Sequence, residues 1–201
     1  MKRIIILLIA TSLLAAGCSL DNDLKKSIMI YDPEYPELPI YSEWGYNTFG
    51  AYFDRDIFIS NDTDVPAKLV ATSTQATLTF AGSKNPYGSF GSDSYMALAF
   101  TFTGFSPKVP TDLAELHNRT FDLTSPSVQV TVWINGTQHT PRIFSGTLFV
   151  KRYQNLFVDK KLEEVILSGL FEMRMELNGK PLTLSNGRFD VGISPDNFFY
   201  K

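Results

Sequence analysis

Cysteine is almost absent from this chain, which has a single one, Cys18, among its 201 residues. A lone thiol has no partner for an intrachain disulfide, so the stability of the folded chain must come from its hydrophobic core. Histidine is nearly as scarce, with only His117 and His139. Because zinc sites draw on several His and Cys ligands, this shortage argues against a zinc centre. The sequence predicts no metal site and no cofactor.

Familiar catalytic motifs are also lacking. The stretch nearest to the G-x-S-x-G turn of serine hydrolases is GSFGS at residues 88–92, and its spacing is wrong for a nucleophile. No H-E-x-x-H pattern for a metal-binding helix occurs. Two carboxylates far apart in sequence could still form the acid–base pair of a glycosidase, and nothing in the sequence marks such a pair. We therefore expect a non-enzymatic protein and assign no catalytic residue.

The chain has no excess of positive charge, since 18 basic residues face 21 acidic ones. Without Lys2 and Arg3, which belong to the leader described next, 16 basic residues remain and the net charge becomes −5. A mildly acidic surface does not attract a phosphate backbone or anionic lipid. We therefore expect no nucleic-acid partner.

Long apolar runs are missing except at the N-terminus. There Met1-Lys2-Arg3 precedes the mostly apolar stretch 4–14, and Ala15-Ala16-Gly17 leads into Cys18. This run is shorter than the roughly 20 apolar residues that a spanning helix needs. A basic start, an apolar stretch and small residues before a cysteine are typical of a lipoprotein signal peptide. The sequence predicts a signal peptide over residues 1–17, lipid attachment at Cys18, and anchoring to a membrane through that lipid.

The segment after Cys18 is rich in proline, with Pro33, Pro36 and Pro39 at every third place. Such spacing favours an extended, polyproline-like backbone. We therefore predict a lipid anchor and tether over residues 18–44. The alternative is that residues 28–30 or 38–41 pack on the domain as an edge strand.

From residue 45 onward the apolar residues alternate with polar ones, a period of two that is typical of half-buried antiparallel strands. The clearest alternating stretches lie at residues 75–80, 95–103, 127–134, 171–177 and 189–193.

Asn-Gly pairs at 135–136, 178–179 and 186–187 predict tight hairpin turns, the last two joining strands 171–177, 182–184 and 188–193 into a meander. Only residues 111–117 look helical, with Thr111 or Asp112 as the N-cap. The sequence predicts one β-rich domain over residues 45–201. Its expected fold is all-β, an antiparallel β-sandwich or a β-barrel with one short helix.

Two features could form a binding site. The acidic residues Asp54, Asp56, Asp62 and Asp64 either hold a cation or form turns in which their side chains bond to the backbone, and we favour the turns. A glycine- and serine-rich loop carries Tyr87, Phe90 and Tyr95, and Trp133 lies on the polar face of its strand. Aromatic rings beside flexible polar residues suit binding of a glycan or a protein, so these four aromatics are the predicted ligand-binding residues.

Three stretches carry a resemblance to known proteins: GYNTFGAYF at residues 45–53, RTFDLT at residues 119–124, and SGLFEMRMELNGKPLTLSNGRFDV at residues 168–191. They resemble segments of a family of uncharacterised lipoproteins from gut Bacteroidetes. The resemblance implies an outer-envelope location and a β-rich fold, in its barrel form a lipocalin-like β-barrel, and it carries over no activity or catalytic residue.

Leader, composition and resemblance together predict a lipoprotein of the outer membrane, at the cell surface, with the periplasmic face as the alternative. We expect a binding or structural role for it, with a possible glycan or protein ligand. The alternative function is a hydrolase that acts on envelope or dietary polysaccharide through a carboxylate pair.

Overall fold

A computed structural model of the chain describes residues 26–60, 65–86 and 94–201. These residues are mostly β-structure and include one 3₁₀ helix, Pro110–Leu116. Their strands are β1 (Thr48–Phe53), β2 (Asp56–Ile59), β3 (Ala67–Ala71), β4 (Gln75–Lys84), β5 (Ser94–Thr103), β6 (Arg119–Asp122), β7 (Val128–Ile134), β8 (Thr137–His139), β9 (Arg142–Val158), β10 (Lys161–Leu177), β11 (Lys180–Ile193) and β12 (Phe198–Tyr200). In the part of the chain that is described, no helix is long and apolar enough to cross a membrane.

All the strands belong to one sheet. Its main order is β6-β9-β10-β11-β1-β2-β4-β5-β7-β8, with β3 also paired to β4, and β12 paired to β3. Every pairing is antiparallel except that of β12 with β3. Among the described residues no ladder joins the end strands β6 and β8, so the sheet does not close into a barrel. The predicted all-β antiparallel class is confirmed, and the fold is sandwich-like rather than a lipocalin-like barrel.

The two halves of the sheet pack against each other through phenylalanine rings. Phe49 of β1 stacks on Phe80 of β4, with ring centroids 4.8 Å apart, and lies 5.7 Å from Phe171 of β10. Phe171 also meets Phe100 of β5 edge-on at 5.7 Å. Because β4 and β5 are not neighbours of β10 in the sheet, these contacts cross the core from one layer to the other.

Two of the three predicted Asn-Gly turns are confirmed. Asn135 and Asn178 both have positive φ, as do the glycines that follow them, and they connect β7 to β8 and β10 to β11. The third prediction is wrong, because Asn186 and Gly187 lie inside the continuous strand β11. There, one extra residue of β11 bulges against both neighbouring strands, and the positive φ of Asn186 accommodates the bulge.

The predicted helix is present, but it starts one residue earlier and is a 3₁₀ helix. Its N-cap is Val109, so the prediction of Thr111 or Asp112 as N-cap is wrong. Pro110 takes the first helical position, which suits its fixed φ and missing N–H. Asp112 caps from inside the first turn instead, since its carboxylate accepts the backbone N–H of Lys108 at 2.7 Å and of Val109 at 3.2 Å.

The segment 28–44, which we call the strap, packs on the sheet. The N–H of Ile28 donates to the carbonyl of Tyr46, and the N–H of Ile40 donates to that of Ile30, both at 2.7 Å. Leu38 is fully buried in a small cluster with Ile57 and Ile59 of β2.

The predicted tether over residues 18–44 is therefore corrected for residues 28–44, which pack on the domain as in the alternative, although they form no edge strand. Its two arms pair with each other through a bridge between Tyr31 and Pro39. Pro39 lies against Gly50 of β1, where a side-chain carbon would come within 2.5 Å of the proline ring. The structured unit thus begins near residue 28 and not at residue 45. Residues 18–25 of the predicted tether lie outside the described residues.

Candidate functional site

The last residues of the strap turn around one buried carboxylate, Asp190 of β11, which is 1% exposed. Its oxygens accept the backbone N–H groups of Trp44 at 3.1 Å, Gly45 at 2.9 Å and Tyr46 at 3.0 Å, and also the hydroxyl of Ser42. Gly45 has a φ of +77°, a conformation that glycine adopts without strain. The carboxylate thereby fixes the turn of the chain at residues 42–46.

This turn presents Trp44 to solvent. The side chain is 74% exposed, the highest value among the large hydrophobic residues that the structure describes. A tryptophan is rarely left so open on a protein surface, because burial of its large apolar ring is favourable. Asp190 fixes the backbone of Trp44, so a rigid turn of the chain carries the exposed indole ring.

Trp44 forms one wall of a cleft of about 440 Å³. The strap supplies Tyr41, Ser42 and Glu43, and β9 supplies Arg152 and Gln154. The guanidinium of Arg152 donates to the amide oxygen of Gln154 at 2.8 Å, so these two side chains hold each other in place. We call this the Trp44 cleft.

Glu43 is held by basic side chains of β9. Its carboxylate lies 3.1 Å from the ammonium of Lys151 and 3.6 Å from the guanidinium of Arg152. Partial burial raises the pKa of Glu43, but the hydrogen bonds and positive charges of Lys151, Tyr41 and Arg152 outweigh burial and hold that pKa below its usual value. Glu43 is therefore a fixed anion at neutral pH and an acceptor of hydrogen bonds.

Tyr41 closes the inner side of the cleft. Its hydroxyl donates to Glu43 at 3.0 Å, and its ring lies under the ammonium of Lys151 at 4.9 Å. Burial, together with the nearby negative charges of Glu43 and Asp190, raises the pKa of Tyr41 to about 12, although a hydrogen bond with Ser168 opposes this. The phenol therefore stays protonated and serves as a donor.

The Trp44 cleft can bind through an apolar ring face beside several polar groups, both donors and acceptors. It is poorly suited to glycoside hydrolysis, which needs two carboxyl groups with different pKa values. Among the described residues that line the cleft, Glu43 is the only carboxylate. The oxygens of Asp190 are occupied by backbone N–H groups, and the lowered pKa of Glu43 is the opposite of what a general acid requires.

The predicted aromatic site is only partly described. Tyr87 and Phe90 lie outside the described residues. Tyr95 is 55% exposed, whereas Trp133 is partly buried. Trp133 pairs with Ala97 of β5, and Tyr95 is two residues away from Ala97, so Tyr95 and Trp133 lie on the same face of the sheet. Neither ring lines the Trp44 cleft.

The structure also describes only part of the predicted acidic cluster, which comprises Asp54, Asp56, Asp62 and Asp64. Asp62 and Asp64 lie outside the described residues. Asp54 accepts the N–H of Thr183 at 2.8 Å, and Asp56 pairs with Lys84 at 2.7 Å. These contacts are structural, and in the described ranges no group of three or more His, Cys, Asp or Glu side chains could hold a metal ion.

The predicted lipid-attachment residue, Cys18, also lies outside the described residues. Sequence reasoning missed Trp44 because it assigned residues 18–44 to a tether. One signal was available: Trp44 is one of only two tryptophans, and it lies in a segment otherwise rich in proline, acidic residues and tyrosine.

Two of the three stretches that carry the resemblance, GYNTFGAYF and SGLFEMRMELNGKPLTLSNGRFDV, meet at this site. Within GYNTFG, Gly45 and Tyr46 bind Asp190, and Phe49 pairs with Phe189 in the ladder between β1 and β11. Asp190 and Phe189 belong to GRFDV, so the two motifs form one structural joint. Comparison with protein-family models, with curated proteins and with solved structures finds no match for this chain.

Proposed function

We propose that this protein is a lipid-anchored lipoprotein of the outer membrane, at the cell surface, that binds a saccharide in the Trp44 cleft without changing it chemically. The observation that carries the proposal is the rigidly supported, 74% exposed indole of Trp44 beside a polar cleft. The lipid anchor rests on the leader sequence that ends at Cys18. The location rests on that leader and on the resemblance to Bacteroidetes lipoproteins.

Saccharide chemistry matches the cleft in two ways. A sugar ring has apolar C–H faces that stack on an indole, and hydroxyl groups that need donors and acceptors in the plane of the ring. Glu43 supplies acceptors, Arg152 supplies donors, and the amide of Gln154 supplies both. Because Glu43 is ion-paired and Arg152 is bonded to Gln154, these groups are positioned before a ligand arrives, which lowers the entropic cost of binding.

The test is a binding titration of the purified protein with a panel of soluble dietary and bacterial-envelope polysaccharides. The Trp133→Phe variant leaves Trp44 as the only tryptophan, so a change in its fluorescence on addition of a polysaccharide reports binding in the cleft. We expect Trp44→Ala to weaken binding at least tenfold, since an aromatic anchor of this kind carries much of the binding free energy. The side chain is exposed, so thermal stability should stay unchanged.

Tyr95→Ala is the matched control, because it removes another exposed aromatic ring outside the cleft. Binding that survives Trp44→Ala but is lost in Tyr95→Ala would move the site to the β5–β7 face and overturn the proposal. Failure of every saccharide, together with Trp44-dependent capture of a protein, would also overturn it. Release of reducing ends that stops in Glu43→Gln would instead establish the hydrolase alternative.

A further inference from the structure

The hairpin of β9 and β10 extends beyond the rest of the sheet. The pairing of β10 with β11 ends at Val165, and the pairing of β9 with β6 ends at Val150. At the far end of the hairpin, residues 156–164 form a two-stranded segment that pairs with no other strand among the described residues. We call this segment the ribbon. None of its side chains is buried.

Two apolar residues lie at the tip of the ribbon. Phe157 is 58% exposed and Val158 is 37% exposed, next to a turn in which Asp159 and Lys160 both have positive φ. The positive φ values give the tight turn that matches the twist of the two strands. The tip is therefore an ordered structure that carries apolar side chains into solvent.

The ribbon leaves the domain at the place where the strap begins. Ile28 bonds to Tyr46, and the neighbouring Gly45 packs against Ile166 and Glu164 at the base of the ribbon. The exposed indole of Trp44 lies in the same turn, and Ile28 is itself 50% exposed. One end of the molecule thus carries the ribbon, the Trp44 cleft and the start of the described N-terminal segment.

We propose that the tip of the ribbon inserts Phe157 and Val158 into the surface of the bilayer that holds the lipid of Cys18. This inference rests on the lipid anchoring in the proposed function, but not on saccharide binding. The distances fit. Nine residues lie between Cys18 and Ile28, and the ten Cα-to-Cα steps that join them span at most about 35 Å. The five steps along the strand from Val165 to Lys160 carry the tip about 17 Å beyond the end of β11, so the tether is long enough for the tip to reach the membrane.

The charges of the ribbon favour apolar insertion over attraction to anionic lipid. Lys160 and Lys161 are balanced by acidic neighbours, since Lys161 pairs with Glu163 at 3.0 Å and Asp159 and Glu164 add two more negative charges. The ribbon therefore has no net positive charge. Membrane contact should depend on Phe157 and Val158 and should change little between neutral and anionic lipids.

The experiment uses the lipidated protein, reconstituted in phosphatidylcholine vesicles that contain lipids brominated near the headgroup. Bromine quenches tryptophan fluorescence only at short range. In a Trp44→Phe, Trp133→Phe background, Phe157→Trp places a single tryptophan at the tip. We expect its fluorescence to fall at least twofold relative to vesicles without bromine, and to fall equally when phosphatidylglycerol is added.

Phe144→Trp in the same background is the matched control. Phe144 lies in the same strand β9, is 50% exposed, and is about 43 Å from Phe157 along the strand. We expect no quenching there. Protein that floats with the vesicles but shows equal fluorescence with and without bromine at position 157 would overturn the inference and leave the anchor intact. Protein that carries no lipid and does not float would overturn both the lipid anchor and this inference. The proposal that the Trp44 cleft binds a saccharide would not be affected by that result.

Discussion

The carboxylate of Asp190 fixes the conformation of the chain where the strap ends. Asp190 is buried and cannot be solvated by water. Its carboxylate instead accepts hydrogen bonds from three backbone N–H groups and one hydroxyl. Hydrogen bonds from backbone amides to a buried anion are stronger than those between neutral groups. They replace the water that the carboxylate loses on folding. The same bonds fix Trp44, so the stability of this joint and the geometry of the cleft depend on one side chain.

We expect Asp190→Asn to destabilise the fold by about 3 kcal/mol. The asparagine has the same shape, but it presents an N–H₂ group to N–H donors, so one or more buried donors lose their acceptor. The free energy of unfolding from urea denaturation measures the loss. Because the turn at residues 42–46 loosens, saccharide affinity should also fall.

Glu115→Gln is the control, since Glu115 is exposed on the 3₁₀ helix, and we expect it to leave the urea midpoint unchanged. If Asp190→Asn unfolds at the same urea concentration as the unmodified protein, then Asp190 does not hold the turn at residues 42–46.

At the level of the element, the strap is also held by an ion pair between a buried arginine and a partly buried aspartate. Arg188 of β11 donates to Asp32 at 2.5 Å, and its side chain is only 8% exposed. The guanidinium also donates to the carbonyl of Asn186 at 3.1 Å and lies over the ring of Tyr35 at 4.9 Å. The strap is therefore attached to β11 at two places, near its middle by Arg188 and at its end by Asp190.

Acid should release the strap at its middle. Burial raises the pKa of Asp32, but the N–H groups of Glu34 and Tyr35 and the guanidinium of Arg188 outweigh burial and hold that pKa below its usual value. A carboxyl group with a lowered folded-state pKa contributes stability above its unfolded-state pKa and loses that contribution as the pH falls through the folded-state value. The free energy of unfolding should therefore decline below about pH 4.

Asp32→Asn should remove this part of the acid dependence and cost about 3 kcal/mol at neutral pH, because it leaves Arg188 buried without its counter-ion. Urea denaturation at neutral and acid pH measures both effects, and limited proteolysis should show faster cleavage within residues 28–40. Glu163→Gln breaks an exposed pair with Lys161 and should cost at most about 0.5 kcal/mol. An Asp32→Asn variant that loses as much stability in acid as the unmodified protein would contradict this assignment.

The elements differ in how far sequence could predict them. A strand with strict alternation, such as β4, follows from local pattern, because every second side chain is buried in the core. The turn at Asn178-Gly179 follows from local backbone preference. Asn186-Gly187 has the same sequence as the Asn-Gly turn but forms a bulge inside a strand. The difference comes from the neighbouring strands, since β10 and β1 flank β11 on both sides there. The packing of the strap was predicted only as an alternative, because its proline pattern describes an extended chain without showing what that chain packs against.

At the level of the whole molecule, the class of fold was predictable and the site was not. Period-two alternation indicates an antiparallel sheet, but whether the sheet closes depends on pairings between distant strands. The Trp44 cleft joins residues 41–44 to Arg152 and Gln154, more than a hundred positions away in the sequence. No local pattern encodes that contact. It follows from the attachment of the strap to β11 and from the order β9-β10-β11 in the sheet.

Phe49 packs between the two layers of the molecule, and its removal should lower the free energy of unfolding of the whole fold. Its fully buried ring contacts Phe58 and Phe80 at 4.8 Å and Phe171 at 5.7 Å. Phe49→Ala should destabilise by about 3–5 kcal/mol through lost burial and the cavity left between the layers, whereas Phe49→Leu should cost about 1–2 kcal/mol. Phe144→Ala removes a ring of the same size from an exposed position of β9 and should cost less than about 0.5 kcal/mol. Urea denaturation followed by circular dichroism measures all three variants. Equal midpoints for Phe49→Ala and Phe144→Ala would show that the layers do not depend on the ring of Phe49.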